Sequence, residues 1–332
     1  MDGFFDKYGR VIIIAVAICF VLLYLTPMRN VVGSSINGFA GNFANKVGES
    51  LGTVKMPDGS DNIVKEKSSM IIGTIGNFYN DTKPDTQFAN AIPEAATAVV
   101  FTDEVAPEGV STTDLTVAKD GSVVGWLDGT TWKVSTQDPN KAITFNENCA
   151  GMFYAQNGEI FECKNKLKLS QISFNNVDTS SVTSMDFMFV GCEELEKLDL
   201  NSFDTSNVKY MIYMFARCEN LKKLDLSSFD TSKVVEMNGT FAECKNLQEL
   251  DVSSFDTSQV ADMNTMFSGC SNLTSLDLSS FDTSNVEMCE GMFDDCLKLK
   301  TVKARSQKDV DFFTSRSLVG PRVDPSVKFE IA

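Results

Sequence analysis

The residues that could do chemistry in this chain of 332 residues recur at a fixed interval of 26. An Asp-Thr-Ser triplet begins at Asp178, Asp204, Asp230, Asp256 and Asp282. A second aspartate row and a cysteine row keep the same interval, at Asp199, Asp225, Asp251 and Asp277 and at Cys192, Cys218, Cys244, Cys270 and Cys296. Carboxylates bind calcium and act as acid and base in glycoside hydrolysis, and thiolates bind zinc.

The regular spacing argues against most of this chemistry. A thiolate metal site needs cysteines grouped in space, whereas one cysteine per 26 residues forms a row, so we predict no metal site there. A row of equivalent carboxylates lacks the cleft and the two different environments of acid–base catalysis, so we predict no enzyme and no catalytic residue. Calcium binding by the carboxylates remains an alternative to turn capping, and we predict no other cofactor.

Composition narrows the function further. The chain contains no histidine, which excludes Ser-His-Asp and Cys-His catalysis and histidine-ligated zinc. Its formal net charge is -16, and a surface of that sign cannot replace the counterions of phosphates, so we predict no nucleic-acid partner. Residues 178–303 hold 22 acidic and 10 basic residues, a net charge of -12, so most of the charge lies in the repeats.

The repeats predict an α/β fold, namely a leucine-rich-repeat-like solenoid of five 26-residue units over 178–303. A period of 20–29 residues with an L-x-x-L-x-L run is typical of such solenoids, because stacked units share one core. In the first unit, apolar residues spaced by three and four predict a short helix; they are Val182, Met185, Phe189 and Cys192. Leu198 and Leu200 alternate with polar residues and predict a strand.

Both ends of the solenoid need a cap. Residues 95–177 predict a β-rich N-terminal cap, with strands at 98–101 and 143–145 and a hairpin that turns at Asp128-Gly129. Residues 304–332 predict a C-terminal cap with a closing strand near 327–331. The cysteine row is interpreted as one buried apolar thiol per unit. Disulfides between adjacent units are sterically conceivable. Cys149 and Cys163 are the better candidates for a disulfide.

The N-terminal region predicts a membrane anchor. The run Val11–Met28 carries no charged side chain and just spans a bilayer. Lys7 and Arg10 precede it and only Arg29 follows closely, so we predict a single-pass cell-membrane protein with residues 1–30 as signal anchor, a cytoplasmic N-terminus and extracellular repeats. A cleaved signal peptide is the alternative.

The next residues read as a spacer. Over 31–54, apolar residues recur every three or four positions and predict an amphipathic juxtamembrane or stalk helix, through which copies of the chain could self-associate. A helix lying on the membrane or a loose linker are the alternatives, since glycines weaken the helix. Residues 55–94, rich in Pro, Ser, Thr and Asn, predict a linker.

The repeat sequences themselves carry a resemblance. The units MFVGCEELEKLDLNSFDTSNV and MFSGCSNLTSLDLSSFDTSNV closely resemble BspA-like leucine-rich-repeat bacterial surface proteins, and the segment around GWLDGTTWKV is similar to the leader of that family. The resemblance spans roughly residues 95–305. It implies a bacterial cell-surface protein with a solenoid ectodomain and a role in adhesion. The chain departs from the pattern in its predicted N-terminal anchor and in having only five full repeats.

The predicted function is therefore binding of an unknown protein or cell-surface ligand. The candidate binding face consists of the solvent-facing strand positions, which vary while the core positions do not: Lys197, Asp199, Lys223, Asp225, Glu249, Asp251, Ser275 and Asp277. A merely solvated face is the alternative. The rival function is that of a structural subunit of a pilus-like or envelope assembly, driven by the N-terminal helix.

Overall fold

The computed structural model describes residues 87–116, 120–154, 167–316 and 326–332. These residues belong to the compact unit Glu66–Ala332. The predicted anchor Val11–Met28, the predicted stalk 31–54, most of the predicted linker and Cys163 lie outside them. Among the described residues, no helix has the length and apolar character needed to cross a membrane.

The N-terminal part of the described chain is a six-stranded sheet with the order β2-β3-β4-β1-β6-β8. Its strands are β1 (Ala98–Phe101), β2 (Thr112–Asp114), β3 (Val124–Asp128), β4 (Thr131–Ser135), β6 (Gln171–Phe174) and β8 (Lys197–Asp199). β3 and β4 form the expected hairpin, but Asp128 pairs with Thr131, so the two-residue turn is Gly129-Thr130, one residue later than predicted. Gly129 has a φ of 61°. β1 pairs in parallel with both β4 and β6, so the sheet continues from the cap into the first repeat.

The end of the predicted linker 55–94 is part of the core. Helix α1 (Gln87–Ala91) places Phe88, which is 0% exposed, against the rings of Phe101, Trp132 and Phe153, at centroid distances of 5.7, 5.4 and 5.5 Å. A short polar segment with few apolar residues has no periodicity that reveals such a contact, because its partners lie far along the chain.

The repeats stack with the residues 26 positions apart facing each other. A two-stranded sheet of β5 (Ile143–Thr144) and β7 (Val177–Asp178) lies at the start of the stack, and β9 (Ser275–Leu278) pairs with β10 (Thr301–Ala304) near its end. In the second and third repeats, residues 223–226 and 249–252 form no regular strand. The Gln248 amide nevertheless donates to the Lys222 carbonyl, at 3.3 Å.

The predicted helix of each repeat is wrong. Residues 182–192 and their equivalents form consecutive turns, and parallel bridges join them from one repeat to the next, as between Ser184 and Tyr210. The amide of Phe187 donates to the Ile212 carbonyl of the next repeat at 2.7 Å, and that of Phe189 to Met214 at 2.9 Å. Amides that would close a helix with the residue four positions back are thus used between repeats.

Left-handed residues confirm that this segment is not helical. Two equivalent positions in each repeat have positive φ, and the first of them holds Phe187, Tyr213, Gly239, Thr265 and Gly291, with φ between 50° and 61°. Such a φ cannot occur inside a right-handed helix. The inward residues that suggested the helix are nonetheless buried, because the turns direct the same side chains into the core.

One continuous core runs through the stack. Phenylalanines within the turns stack face to face at centroid distances of 5.6 to 6.1 Å, as Phe215, Phe241, Phe267 and Phe293 do. Leu195 and Phe203 and their equivalents are buried beside them. A single repeat has no such core, so the stability of each repeat depends on its neighbours.

The C-terminal end closes the stack in two ways. β11 (Lys328–Ile331) adds to β10 as the edge of a three-stranded sheet, where the sequence predicted a closing strand. Helix α2 (Gln307–Arg316) places Phe313 against Phe293 and the fully buried side chain of Asp309 against Thr283. α2 therefore takes the place that a further repeat would occupy.

Candidate functional site

All eight residues of the candidate binding face are exposed. This strand face is defined by Lys197, Asp199, Lys223, Asp225, Glu249, Asp251, Ser275 and Asp277. Its aspartates form one row, in which neighbouring residues are 26 positions apart and occupy equivalent places in adjacent repeats. In-register stacking of the repeats thus collects four carboxylates that are distant in sequence.

Each aspartate of the strand face is held by its own turn. Oδ1 of Asp225, Asp251 and Asp277 accepts the amide N–H of the serine two residues later, at 3.0, 2.9 and 3.0 Å. Hydrogen bonds from that serine's side chain and amide lower the pKa of all three carboxyl groups, although neighbouring aspartates act against this at Asp251. Asp225, Asp251 and Asp277 are therefore charged at neutral pH, and Oδ2 of Asp225 and Asp251 remains for an external partner.

Basic residues neutralise little of this row. Lys223 pairs with Glu249 at 2.9 Å, and both side chains are 76% exposed. Lys303, in β10, approaches Asp277 at 3.7 Å. Exposed ion pairs contribute little to stability, about 0 to 1 kcal/mol, so these contacts can exchange for contacts to a partner.

The triplet aspartates serve the turns. Oδ1 of Asp204, Asp230 and Asp256 accepts the amide of the serine two residues later, at 3.0, 3.0 and 2.9 Å. Within the residues that the structure describes, no three Cys, Asp or Glu side chains are grouped to hold a metal ion. Through these hydrogen bonds the triplet aspartates cap the turns that follow them.

The cysteine row lies inside the stack. Cys192, Cys218, Cys244, Cys270 and Cys296 are all buried, and none forms a disulfide. The thiols of Cys218 and Cys244 donate to the Phe189 and Phe215 carbonyls of the preceding repeat, at 3.3 and 3.2 Å. Burial raises the pKa of Cys244 to about 12, so the thiol stays protonated and unreactive. Cys149 is also buried and free, and its predicted partner Cys163 lies outside the described residues.

A row of buried threonines was not predicted from the sequence. The threonine of every triplet is buried. In Thr179, Thr205, Thr231 and Thr257, the hydroxyl both donates to the carbonyl and accepts from the amide of the aspartate in the next triplet. The Thr283 hydroxyl donates instead to Oδ1 of Asp309, at 2.7 Å. The invariant 26-residue spacing of these threonines was the available signal, since an exposed turn does not require the same hydroxyl each time.

Comparison with known proteins gives a match to a protein family. Residues 147–250 and 218–311 match the family described as "Mycoplasma protein of unknown function, DUF285". The matched residues run from the turn before the first triplet through all five repeats. The similarity is to a bacterial family whose description assigns no activity. No curated protein and no solved structure matches the chain.

One acidic residue in the turns is electrostatically strained. Burial raises the pKa of Asp186 to about 6, and the negative charge of Glu236 adds to this, although the Ile212 amide and the Ser184 hydroxyl donate to its carboxylate at 2.8 and 3.1 Å. The equivalent residues of the later repeats are Ile212, Asn238, Asn264 and Glu290. The Asn264 side chain accepts the Glu290 amide in the same way, at 2.6 Å. An amide at this position thus keeps the hydrogen bond without the buried charge.

We expect Asp186→Asn to stabilise the protein at neutral pH. The folded-state pKa of about 6 lies above the ordinary value, so the folded state binds more protons and its stability falls as pH rises from about 4 to 6. Removing the charge should raise the free energy of unfolding by about 1–3 kcal/mol at pH 7. It should also reduce the decrease in stability between about pH 4 and 6. Urea unfolding of the full chain between pH 4.5 and 7.5 measures both effects. Asp204→Asn, which removes an exposed charge, is the control, and an unchanged pH slope in Asp186→Asn would contradict the expectation.

Proposed function

We propose that the chain is a membrane-anchored bacterial cell-surface protein whose repeats form a leucine-rich-repeat-like solenoid that binds another protein. The observation that carries the proposal is the row of charged, turn-fixed aspartates on the strand face. A rigid row of carboxylates needs no ordering on binding, which lowers the entropic cost of association. The partner that suits it is a protein with a basic surface.

The division between core and surface supports a binding role. Burial and stacking occupy the phenylalanine, leucine, cysteine and threonine rows, so these positions are fixed by the fold. The strand face carries Lys, Glu, Asp and Ser at equivalent places, and none of them is needed for the core. Variation there changes what the surface recognises without changing the scaffold, which is how repeat proteins achieve specificity.

The test replaces the charge of the row and keeps its shape. In the triple variant Asp225→Asn, Asp251→Asn and Asp277→Asn, each amide oxygen can still accept the serine N–H. The matched control, Asp204→Asn, Asp230→Asn and Asp256→Asn, removes three charges from the triplet row with the same local chemistry. Full-length protein in detergent micelles is assayed for binding to immobilised extracellular-matrix proteins at two salt concentrations.

We expect the strand-face variant to lose binding and the control to retain it, with the wild-type interaction weakening as salt increases. Equal loss in both variants would show that net charge alone acts and would overturn the strand face as the binding surface. Absence of binding, together with regular oligomers of the wild-type chain, would favour the structural-subunit alternative. Protease added outside intact cells should digest the repeats, and full protection would overturn the proposed orientation.

A further inference from the structure

The last turn of the stack has amide groups that nothing in the described chain uses. In the preceding repeat, the amides of Thr265 and Phe267 donate to the Glu290 and Met292 carbonyls at 2.9 and 3.0 Å. The equivalent amides of the last turn belong to Gly291 and Phe293, and no described residue accepts a hydrogen bond from either. α2 replaces the next repeat but supplies no carbonyl row at this point.

A cavity of about 400 Å³ adjoins this edge. It lies between the last turn and the end of α2, and it is lined by Glu287, Cys289, Glu290, Gly291, Asp294, Ser315 and Arg316. Its volume falls in the usual range of ligand sites, about 300–1,000 Å³. One amide of the open edge, that of Gly291, therefore belongs to a residue of the cavity wall.

The cavity coincides with a departure from the repeat pattern. The equivalent position holds Met185, Met211, Met237 and Met263 in the four earlier repeats, and all four are buried in the core. The last repeat has the shorter Cys289 there. Because Cys289 belongs to the cavity wall, a larger side chain at this position changes that wall.

The cavity wall is acidic. It contributes three carboxylates and one guanidinium, and none of the carboxylates forms an ion pair with a described residue. Oδ1 of Asp294 is buried and has no hydrogen-bond partner, a state that costs about 1–3 kcal/mol. Arg316 is already tethered, since its Nη1 donates to the Glu287 carbonyl at 2.8 Å and its guanidinium lies over the Phe312 ring.

These features together define the chemistry of an occupant. The carboxylates favour a cation, yet within the described chain they are not grouped to hold a metal ion. The Gly291 amide requires a hydrogen-bond acceptor, which in every earlier turn is a backbone carbonyl. An occupant that offers both a carbonyl and a cationic side chain is a peptide.

We propose that this cavity binds an extended lysine- or arginine-containing peptide segment of another protein, which continues the stack from its last turn. Its backbone carbonyl accepts the Gly291 amide, and its cationic side chains pair with Asp294 and Glu290. Main-chain hydrogen bonds contribute affinity and side-chain pairing contributes specificity, as in other forms of strand addition. The site is separate from the strand face and does not rest on the function proposed for it.

The experiment measures fluorescence anisotropy of a labelled, end-blocked peptide of alternating alanine and lysine, with the full-length protein in micelles at low salt. The same peptide with glutamate in place of lysine, and free spermidine as competitor, are the chemical controls. Cys289→Met is the main variant, because four equivalent positions already accommodate methionine. Glu290→Gln with Asp294→Asn removes the charge, and Asp225→Asn with Asp251→Asn is the matched strand-face control.

We expect Cys289→Met to abolish binding of the lysine peptide, the cavity charge variant to weaken it about tenfold or more, and the strand-face variant to leave it unchanged. The glutamate peptide should not bind. Wild-type affinity in the cavity charge variant, or an equal loss in the strand-face variant, would overturn the site. Competition by spermidine as strong as that by unlabelled peptide would overturn the role of the peptide backbone.

Discussion

Gly239→Ala should lower the free energy of unfolding by about 2–5 kcal/mol. Gly239 has a φ of 61°, a conformation that costs an L-residue about 1–2 kcal/mol. An added Cβ would in addition lie 2.2 Å from Cε1 of Tyr213, whose ring stacks on Phe187 at 5.6 Å, and displacing it adds about 1–3 kcal/mol. If the segment were helical, the same substitution would stabilise the protein by about 1 kcal/mol, so even the sign of the effect is informative.

The matched control is Gly129→Ala. Gly129 has the same φ of 61°, but an added Cβ there meets no atom within 4 Å. Its expected loss is therefore only the backbone cost, about 1–2 kcal/mol. Denaturant unfolding of both variants separates the two contributions, and in the double variant Gly239→Ala with Tyr213→Ala the losses should be less than additive. Equal losses for the two alanine variants would show that Tyr213 does not crowd Gly239.

Thr231→Val should cost about 2–5 kcal/mol although it hardly changes the shape of the side chain. Thr231 is 0% exposed, its hydroxyl donates to the Asp256 carbonyl at 2.9 Å, and it accepts the Asp256 amide at 2.8 Å. Valine removes both bonds and leaves two backbone groups without partners, each at about 1–3 kcal/mol. Because the hydroxyl links two repeats, the loss should appear as weaker cooperativity as well as lower stability.

Thr231→Ser is the control for this effect. Serine keeps the hydroxyl and loses only a methyl group, so the expected loss is about 1 kcal/mol. Unfolding followed by circular dichroism and by hydrogen exchange at Asp256 distinguishes the two variants, since only valine should expose the Asp256 amide. A valine variant as stable as the serine variant would mean that the threonine row acts through packing alone.

Much of the interior could be predicted from the sequence, because periodicity reports which side chains are buried. The 26-residue interval identified the leucine, phenylalanine and cysteine positions that the structure buries, such as Leu195, Phe241 and Cys244. The hairpin was also predictable to within one residue, because a two-residue turn needs the positive φ that Gly129 provides. The exposure of the strand face followed from simple alternation, since successive strand residues point to opposite sides.

Some features of the candidate sites were predictable from the sequence and others were not. The aspartates of the strand face were predictable as a row, because they share one repeat position. The cavity beside Cys289 was not, because it also depends on where α2 lies. The threonine row could have been recognised from its spacing, but its two hydrogen bonds become apparent only when Asp256 is seen beside Thr231.

The sequence by itself determined which residues face the core, and the tertiary structure decided the backbone that directs them there. A helix and a series of turns can both place Val182, Met185, Phe189 and Cys192 inside, so the burial pattern does not distinguish them. The choice depends on hydrogen-bond partners, and the Ile212 carbonyl that accepts the Phe187 amide lies one repeat away. Local sequence contains no information on a partner that only stacking supplies.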